Sequence, residues 1–168
     1  MTARTRPSSR TALALLLAAP AWAAGEPVPL WLPVDGGCMS SPFGPRPPIG
    51  MRPASHHNGV DIPAAAGTPV RAAAAGRVAF LRRVAGYGMM VELDHGAFRT
   101  RYGHLGRVAP ALAEGKRALE AGAPLGVAGR SGISYGSHVH FEVRVDGRPV
   151  DPQPWLPGLR PCRPRTSD

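Results

Sequence analysis

Two short histidine-containing motifs carry the side chains best suited to chemistry in this 168-residue sequence. The first is His57-Asn58-Gly59-Val60-Asp61, and the second is His138-Val139-His140. Zinc binds neutral imidazole nitrogen and carboxylate oxygen, and a catalytic zinc site combines three protein ligands with one position for water. The motifs therefore predict a zinc site that activates water for hydrolysis.

The residues alone predict the kind of ligand set but leave one of its members open. His57, Asp61 and one histidine of the second motif complete a three-ligand site. His104 and the remaining histidine of that motif are then available as a general base or as donors to a developing oxyanion. Neither cysteine is expected to bind zinc, because neither has a nearby cysteine partner.

Spacing predicts that these side chains share a groove. Three pairs are separated by an even number of residues: His57 and Asp61, Tyr102 and His104, and His138 and His140. On extended backbone an even separation places both side chains on one face. The odd spacing of His56 turns it away from His57, and His95 is predicted to be structural.

The elements that must position these residues are predicted to be strands, and the fold class to be mainly β. Short apolar runs alternate with glycine and proline, which is typical of a small antiparallel sheet with tight turns. Around the second motif, Val139, Phe141, Val143 and Val145 are expected to face the core, and the histidine side to lie open toward a groove. Asp146-Gly147 predicts a hairpin turn, and 109–113 predicts one helical turn beginning at Pro110.

The first residues have the pattern of an export signal. Three arginines within 4–10 precede the apolar run 12–19, and Ala21-Trp22-Ala23 fits the cleavage rule, so we expect cleavage after Ala23. The alternative is a retained membrane anchor, which the shortness of the apolar run disfavours. We read 24–40 as an extended lead-in, 41–155 as the folded domain, and 156–168 as a tail rich in proline and arginine.

Two cysteines, Cys38 and Cys162, lie near the two ends of the expected mature chain. Export exposes them to an oxidising compartment, so a disulfide that ties the ends together is predicted. Two unpaired buried thiols are the alternative.

The chain is basic, with 20 lysines and arginines against 11 acidic residues and a net charge of +9. Loss of the three signal-peptide arginines lowers this charge to +6. A basic surface attracts anionic polymers such as those of the cell envelope. The arginines are scattered and lack a set of aromatic residues for base stacking, so no nucleic-acid partner is expected.

Taken together, the motifs resemble the lysostaphin/LytM-type zinc metallopeptidases, which cut peptidoglycan cross-bridges. Order, spacing and flanking glycines agree in segments that cover nearly everything between 40 and 155: 41–46, 57–61, 67–70, 102–105, 115–126, 136–142 and 150–152. The small antiparallel β core of that family, with its groove, agrees with the fold predicted from the strand pattern.

The resemblance also implies roles for single residues. It implies that His57, Asp61 and His140 bind zinc, and that His104 and His138 are two catalytic histidines that do not bind it. In the family, zinc activates a water molecule for attack on a peptide carbonyl. The histidine pair moves the proton of that water and holds the tetrahedral intermediate.

The predicted function is an exported zinc endopeptidase that acts on peptidoglycan, in the periplasm or just outside the cell. Its substrate is predicted to be either the peptide cross-links or the stem peptides. The alternative is a noncatalytic LytM-like wall-binding domain that activates another cell-wall hydrolase, because many relatives have lost ligands. This chain keeps every position, which weakens that alternative. We expect a monomer with no membrane span after signal cleavage.

Overall fold

The structure is a computed structural model, and it describes residues 27–48 and 55–163. The predicted signal peptide, its cleavage point after Ala23 and the last five residues of the tail lie outside these ranges. Within them, no helix has the length and apolar character needed to cross a membrane. The signal peptide and the domain bounds therefore stay predictions.

Short antiparallel strands dominate the regular structure, so the mainly β prediction is confirmed. The described residues form the following strands, in chain order: β1 (Gly44–Arg46), β2 (Ser55–His57), β3 (Val60–Pro63), β4 (Pro69–Arg71), β5 (Gly76–Val84), β6 (Gly88–Asp94), β7 (Arg99–Val108), β8 (Ala118–Leu119), β9 (Pro124–Ala128), β10 (His138–Val145) and β11 (Arg148–Val150).

Nine of the described strands form one sheet, whose main path runs β11-β10-β7-β6-β5-β8. Strand β3 also pairs with β10, and β9 pairs with both β7 and β4. Strands β1 and β2 form a separate two-stranded sheet. The strand that carries the second histidine motif, β10, thus lies between β7 on one side and β3 and β11 on the other.

One face of β10 forms the core, as its alternation predicts. Val139, Phe141 and Val143 are fully buried, and Phe141 lies opposite Tyr102 of β7. The other face is less open than the sequence predicts, because His140 and Glu142 are also buried. The loop between β2 and β3 lies so close to this strand that a Cβ atom on Gly59 would lie 2.2 Å from the carbonyl oxygen of Phe141 and 3.0 Å from Nε2 of His140.

The two local turn predictions are confirmed. Helix α1 (Pro110–Ala113) begins with proline in its first turn and buries Leu112. Asp146 and Gly147 connect β10 to β11 with φ angles of 49° and 74°. Two consecutive residues in this left-handed region are typical of a tight turn between twisted antiparallel strands.

The ends of the described chain are tied together by a Cys38–Cys162 disulfide, as predicted. Met39 donates its backbone N–H to the carbonyl of Arg160 at 2.8 Å, and Cys162 donates to the carbonyl of Met39 at 2.9 Å. The start of the tail contributes to the core, because Leu156 and Leu159 are buried there beside Trp155. The lead-in also contributes to the core, through Leu30, Val34 and Met39.

Candidate metal centre

Three side chains from three strands bring their ligand-type atoms together. His57 Nε2 lies 3.1 Å from Asp61 Oδ1 and 3.1 Å from His140 Nδ1, and His140 Nδ1 lies 3.0 Å from Asp61 Oδ1. Asp61 and His140 are directly opposite in the pairing of β3 with β10. We call His57, Asp61 and His140 the donor group.

The other ring nitrogen of each histidine is already bonded. His57 donates Nδ1–H to the carbonyl of Pro42 at 2.7 Å, and His140 donates Nε2–H to Glu142 at 3.2 Å. In neutral imidazoles the nitrogens that face Asp61 then carry only lone pairs. Three acceptor atoms this close require a cation or a proton between them.

The donor group fits a zinc ion. Zinc ligands at about 2.0–2.1 Å in a tetrahedron lie roughly 3.3 Å from one another, close to the observed separations. Partners such as the Pro42 carbonyl and the Glu142 carboxylate are the kind that orient metal-binding histidines. The residues present therefore match the metal that the motifs predict, and the assignment of ligands stays a proposal.

The carboxylate of Asp61 is held in its ionised form. Burial works against the charge, but the imidazoles of His140 and His57 directly beside the carboxylate, which donate to it when they are protonated, hold the pKa of Asp61 far below its usual range. Its second oxygen accepts a hydrogen bond of 2.9 Å from Arg46. The sequence predicts no role for Arg46 beyond its place in the segment 41–46. Its contact with Asp61 depends on the pairing of β1 with β2.

The backbone that carries His57 and Asp61 differs from the single extended segment that the spacing argument assumed. His57 ends β2 and Asp61 lies in β3, which belongs to another sheet. A turn at Asn58-Gly59 separates them. The two side chains meet because the chain changes sheet between them, so even spacing on one strand is not the cause.

His138 lies beside the donor group, and His104 lies beside His138. His138 Nε2 is 3.6 Å from Asp61 Oδ1, and the rings of His104 and His138 have centroids 4.5 Å apart. His138 donates Nδ1–H to the carbonyl of Gly136 at 2.9 Å, and His104 donates Nδ1–H to the carbonyl of Ser131 at 2.7 Å. Burial lowers the pKa of His104, so its Nε2 is a proton acceptor at neutral pH.

The even spacing of Tyr102 and His104 does not place them on one face. Tyr102 is fully buried in the core, and burial raises its pKa to about 12. Gly103, between them, lies opposite His140 on the donor-group face. Strict alternation would send His104 into the core, but its left-handed backbone, with φ of 58°, turns the ring back toward His138.

This unusual backbone is supported by neighbouring loops. His104 donates its backbone N–H to the carbonyl of Tyr87 at 2.7 Å. The hydroxyl of Ser131 donates to the carbonyl of Leu105 at 2.8 Å and accepts the N–H of Met89 at 2.9 Å. These backbone acceptors have no sequence signature, so the sequence could not predict them.

Two residues that contact His140 were missed as parts of the site. Glu142 is fully buried, and although burial disfavours its charge, His140, Tyr87 and Arg144 hold its pKa below the usual value. The ring of Tyr87 lies edge-on to His140 with centroids 5.2 Å apart, and burial raises the pKa of this tyrosine. Even spacing from His140 was the available signal for Glu142, whereas Tyr87 had none.

The two remaining histidines of the described chain lie outside the donor group. His56 is exposed and contacts Asn58 and Phe43, as its odd spacing predicts. His95 donates Nδ1–H to the carbonyl of Ala75 at 2.7 Å, and its Nε2 accepts from the Thr100 hydroxyl at 2.8 Å. His95 is therefore structural.

We expect His95 to make folding stability depend on pH. Burial lowers its pKa below the ordinary 6.5, so the unfolded chain binds a proton more readily than the folded protein. The contribution of the buried, neutral His95 to the free energy of unfolding is fully present above about pH 6.5 and is lost as pH falls through the lowered pKa of the folded protein. Urea unfolding at several pH values should show that the variant His95→Gln loses less stability between pH 7 and pH 5 than the wild type. Equal slopes for both proteins would contradict this role.

The fold and the donor group define a class of protein: an antiparallel β domain with three ligand-type side chains suited to a divalent metal and two further histidines beside them. The chain belongs to peptidase family M23, whose family model matches residues 55–152. This membership confirms the family resemblance predicted from the motifs.

Three known proteins show how far the similarity extends. The DD-carboxypeptidase/endopeptidase Mpg of Neisseria meningitidis is 40% identical over 119 residues, which cover 68% of this chain and 26% of Mpg. The murein hydrolase activator EnvC of Escherichia coli is 37% identical over 99 residues, which cover 58% of this chain and 22% of EnvC. A zinc-containing peptidase from Vibrio cholerae has a crystal structure similar to this fold, with a TM-score of 0.63 and 31% identity, covering 71% of this chain and 37% of that one. The chain thus spans about a quarter of the length of both curated relatives.

Proposed function

We propose that this protein is an exported zinc-dependent endopeptidase that hydrolyses peptide cross-links or stem peptides of peptidoglycan. The observation that carries the proposal is the donor group, in which three acceptor atoms converge at 3.0 to 3.1 Å. Membership of family M23 supports a peptidase, and the similarity to Mpg supports peptidoglycan as the substrate.

In the proposed site, His57, Asp61 and His140 would hold the metal. The chemistry that zinc supplies in such a site is Lewis acidity, which lowers the pKa of a water molecule to about 7. The hydrogen bond of His57 Nδ1–H to the carbonyl of Pro42 keeps the ligand nitrogen Nε2 free of a proton. Asp61 adds a carboxylate that stays ionised and therefore supplies a negative charge.

The two remaining histidines would handle the protons. His104 is neutral, and its Nδ1–H is held by the carbonyl of Ser131, so Nε2 can accept a proton from the attacking water. The protonated ring can then pass that proton to the leaving amine. His138 presents Nε2 on the same side, and either ring, once protonated there, donates to the oxyanion of the tetrahedral intermediate.

Two features support action outside the cytoplasm. The first residues fit the pattern of an export signal. The Cys38–Cys162 disulfide suits an oxidising compartment. We propose a periplasmic or secreted location, and the monomeric state stays a prediction.

The test is mass spectrometry of defined, cross-linked muropeptides after incubation with the purified protein. We expect fragments that together have gained one water per bond cut, with products that identify the bond. A chelator should stop the release, and added zinc should restore it. Intact substrate in the presence of zinc-loaded protein would contradict the proposal.

A noncatalytic activator is the second candidate, and the similarity to EnvC favours it. Such a protein would leave muropeptides intact and accelerate their cleavage by an added cell-wall hydrolase. The same muropeptide assay, run with and without a second hydrolase, distinguishes the two functions. The donor group and the adjacent histidines make the first function our conclusion.

A further inference from the structure

Glu142 is a buried carboxylate to which the proposed mechanism gives no step. Its side chain is fully buried, on the same face of β10 as His140. One oxygen accepts Nε2–H of His140 at 3.2 Å, and the other accepts a hydrogen bond from Arg144 at 2.9 Å. A buried charge is costly unless it is fully paired, so this carboxylate is held by specific contacts.

Tyr87 approaches His140 and Glu142 from a different part of the chain. It lies in the turn between β5 and β6, its ring lies edge-on to His140 with centroids 5.2 Å apart, and its side chain interacts with Glu142 and Asn58. Asn58 directly follows His57 in the chain. Tyr87 therefore lies against both members of the hydrogen-bonded pair formed by His140 and Glu142.

The hydrogen bond between His140 and Glu142 determines which nitrogen of His140 is free. A neutral imidazole carries one proton, and the nitrogen without it is the one that can bind a metal. The Glu142 carboxylate attracts that proton to Nε2, which leaves the lone pair of Nδ1 directed at Asp61 and His57.

We propose that Glu142, supported by the packing of Tyr87 against His140, is a positioning residue that fixes His140 in its Nδ1-binding form for a divalent metal. The proposal rests on the proposed function, since it concerns the same donor group. It concerns affinity for the metal and the geometry of its ligands, which are measured separately from hydrolysis.

Glu92 offers a matched control from the same sheet. It lies opposite Arg101, which in turn lies opposite Glu142, so the two glutamates flank one arginine. Glu92 is also buried, at 2% exposure, but its ion pairs are with Arg99 and Arg101. Glu92→Gln therefore disturbs the buried charges without removing a partner of His140.

The experiment measures the zinc dissociation constant by competition with a chromogenic chelator, and the visible spectrum of the cobalt(II)-substituted protein. For Glu142→Leu we expect zinc binding to weaken roughly 100-fold, and for Glu142→Gln roughly 10-fold, because the amide oxygen still accepts a hydrogen bond. Tyr87→Phe should weaken binding less than Glu142→Leu and should also shift the cobalt bands. Glu92→Gln should keep the wild-type affinity and spectrum.

Equal zinc affinity in Glu142→Gln, Tyr87→Phe and the wild type would overturn the positioning role, even if Glu142→Leu does not fold. An equal loss in Glu92→Gln would also overturn it, because the effect would then be general destabilisation. Wild-type protein that binds zinc but cleaves no muropeptide would contradict the proposed function alone. Wild-type protein that binds no zinc would contradict both.

Discussion

Replacement of His140 by alanine should abolish metal binding and hydrolysis together. The substitution removes one of the three atoms of the donor group and leaves His57 and Asp61 as an incomplete pair. It also leaves the buried carboxylate of Glu142 without one of its hydrogen-bond donors. We expect zinc content, measured by mass spectrometry of the metal, to fall to background, and muropeptide cleavage to fall below detection.

His56→Ala is the matched control for this variant. His56 is exposed and is the immediate neighbour of His57, but it does not belong to the donor group. It should keep full zinc content and full activity. If His140→Ala retained both zinc and activity, the donor group would not be the metal site and the proposed function would be wrong.

Replacement of His104 by alanine should separate metal binding from turnover. His104 lies outside the donor group, and its Nδ1–H is held by the carbonyl of Ser131, so its loss leaves all three donor atoms in place. General acid–base catalysis contributes roughly 10²–10⁴-fold to rate. We therefore expect zinc content to be unchanged and kcat for a defined muropeptide to fall by that factor.

His95→Gln is the control here, because it changes a half-buried histidine that contacts Ala75 and Thr100 rather than the donor group. Its turnover at neutral pH should match that of the wild type. Loss of zinc from His104→Ala would show that His104 is a ligand, and near-normal turnover would show that it transfers no essential proton. Either result would contradict the role proposed for it.

Local patterns in the sequence predicted the parts of the fold that local physics controls. The alternation of Val139, Phe141 and Val143 predicted which face of β10 is buried, because successive residues on a strand point in opposite directions. Asp146-Gly147 predicted the hairpin because those residue types tolerate a left-handed backbone. Pro110 predicted the start of α1 for a similar reason, since its φ is already helical.

Spacing arguments worked less well where the chain leaves regular geometry. The pairing of Tyr102 with His104 was wrong about the shared face, because a positive φ at His104 reverses the alternation. Even spacing correctly predicted that the side chains of His57 and Asp61 lie together. The reason was wrong, since two strands of different sheets carry them. Neither departure is visible in the residue types at those positions.

The sequence by itself determined which side chains are available for metal chemistry and which strand faces are apolar, because both properties belong to residues and their near neighbours. Only the tertiary structure decided that His57, Asp61 and His140 converge, that Pro42 and Glu142 hold the two imidazoles, and that Tyr87 packs against His140. Those contacts join residues up to 83 positions apart, and such distances are set by the packing of strands and loops rather than by local backbone preference.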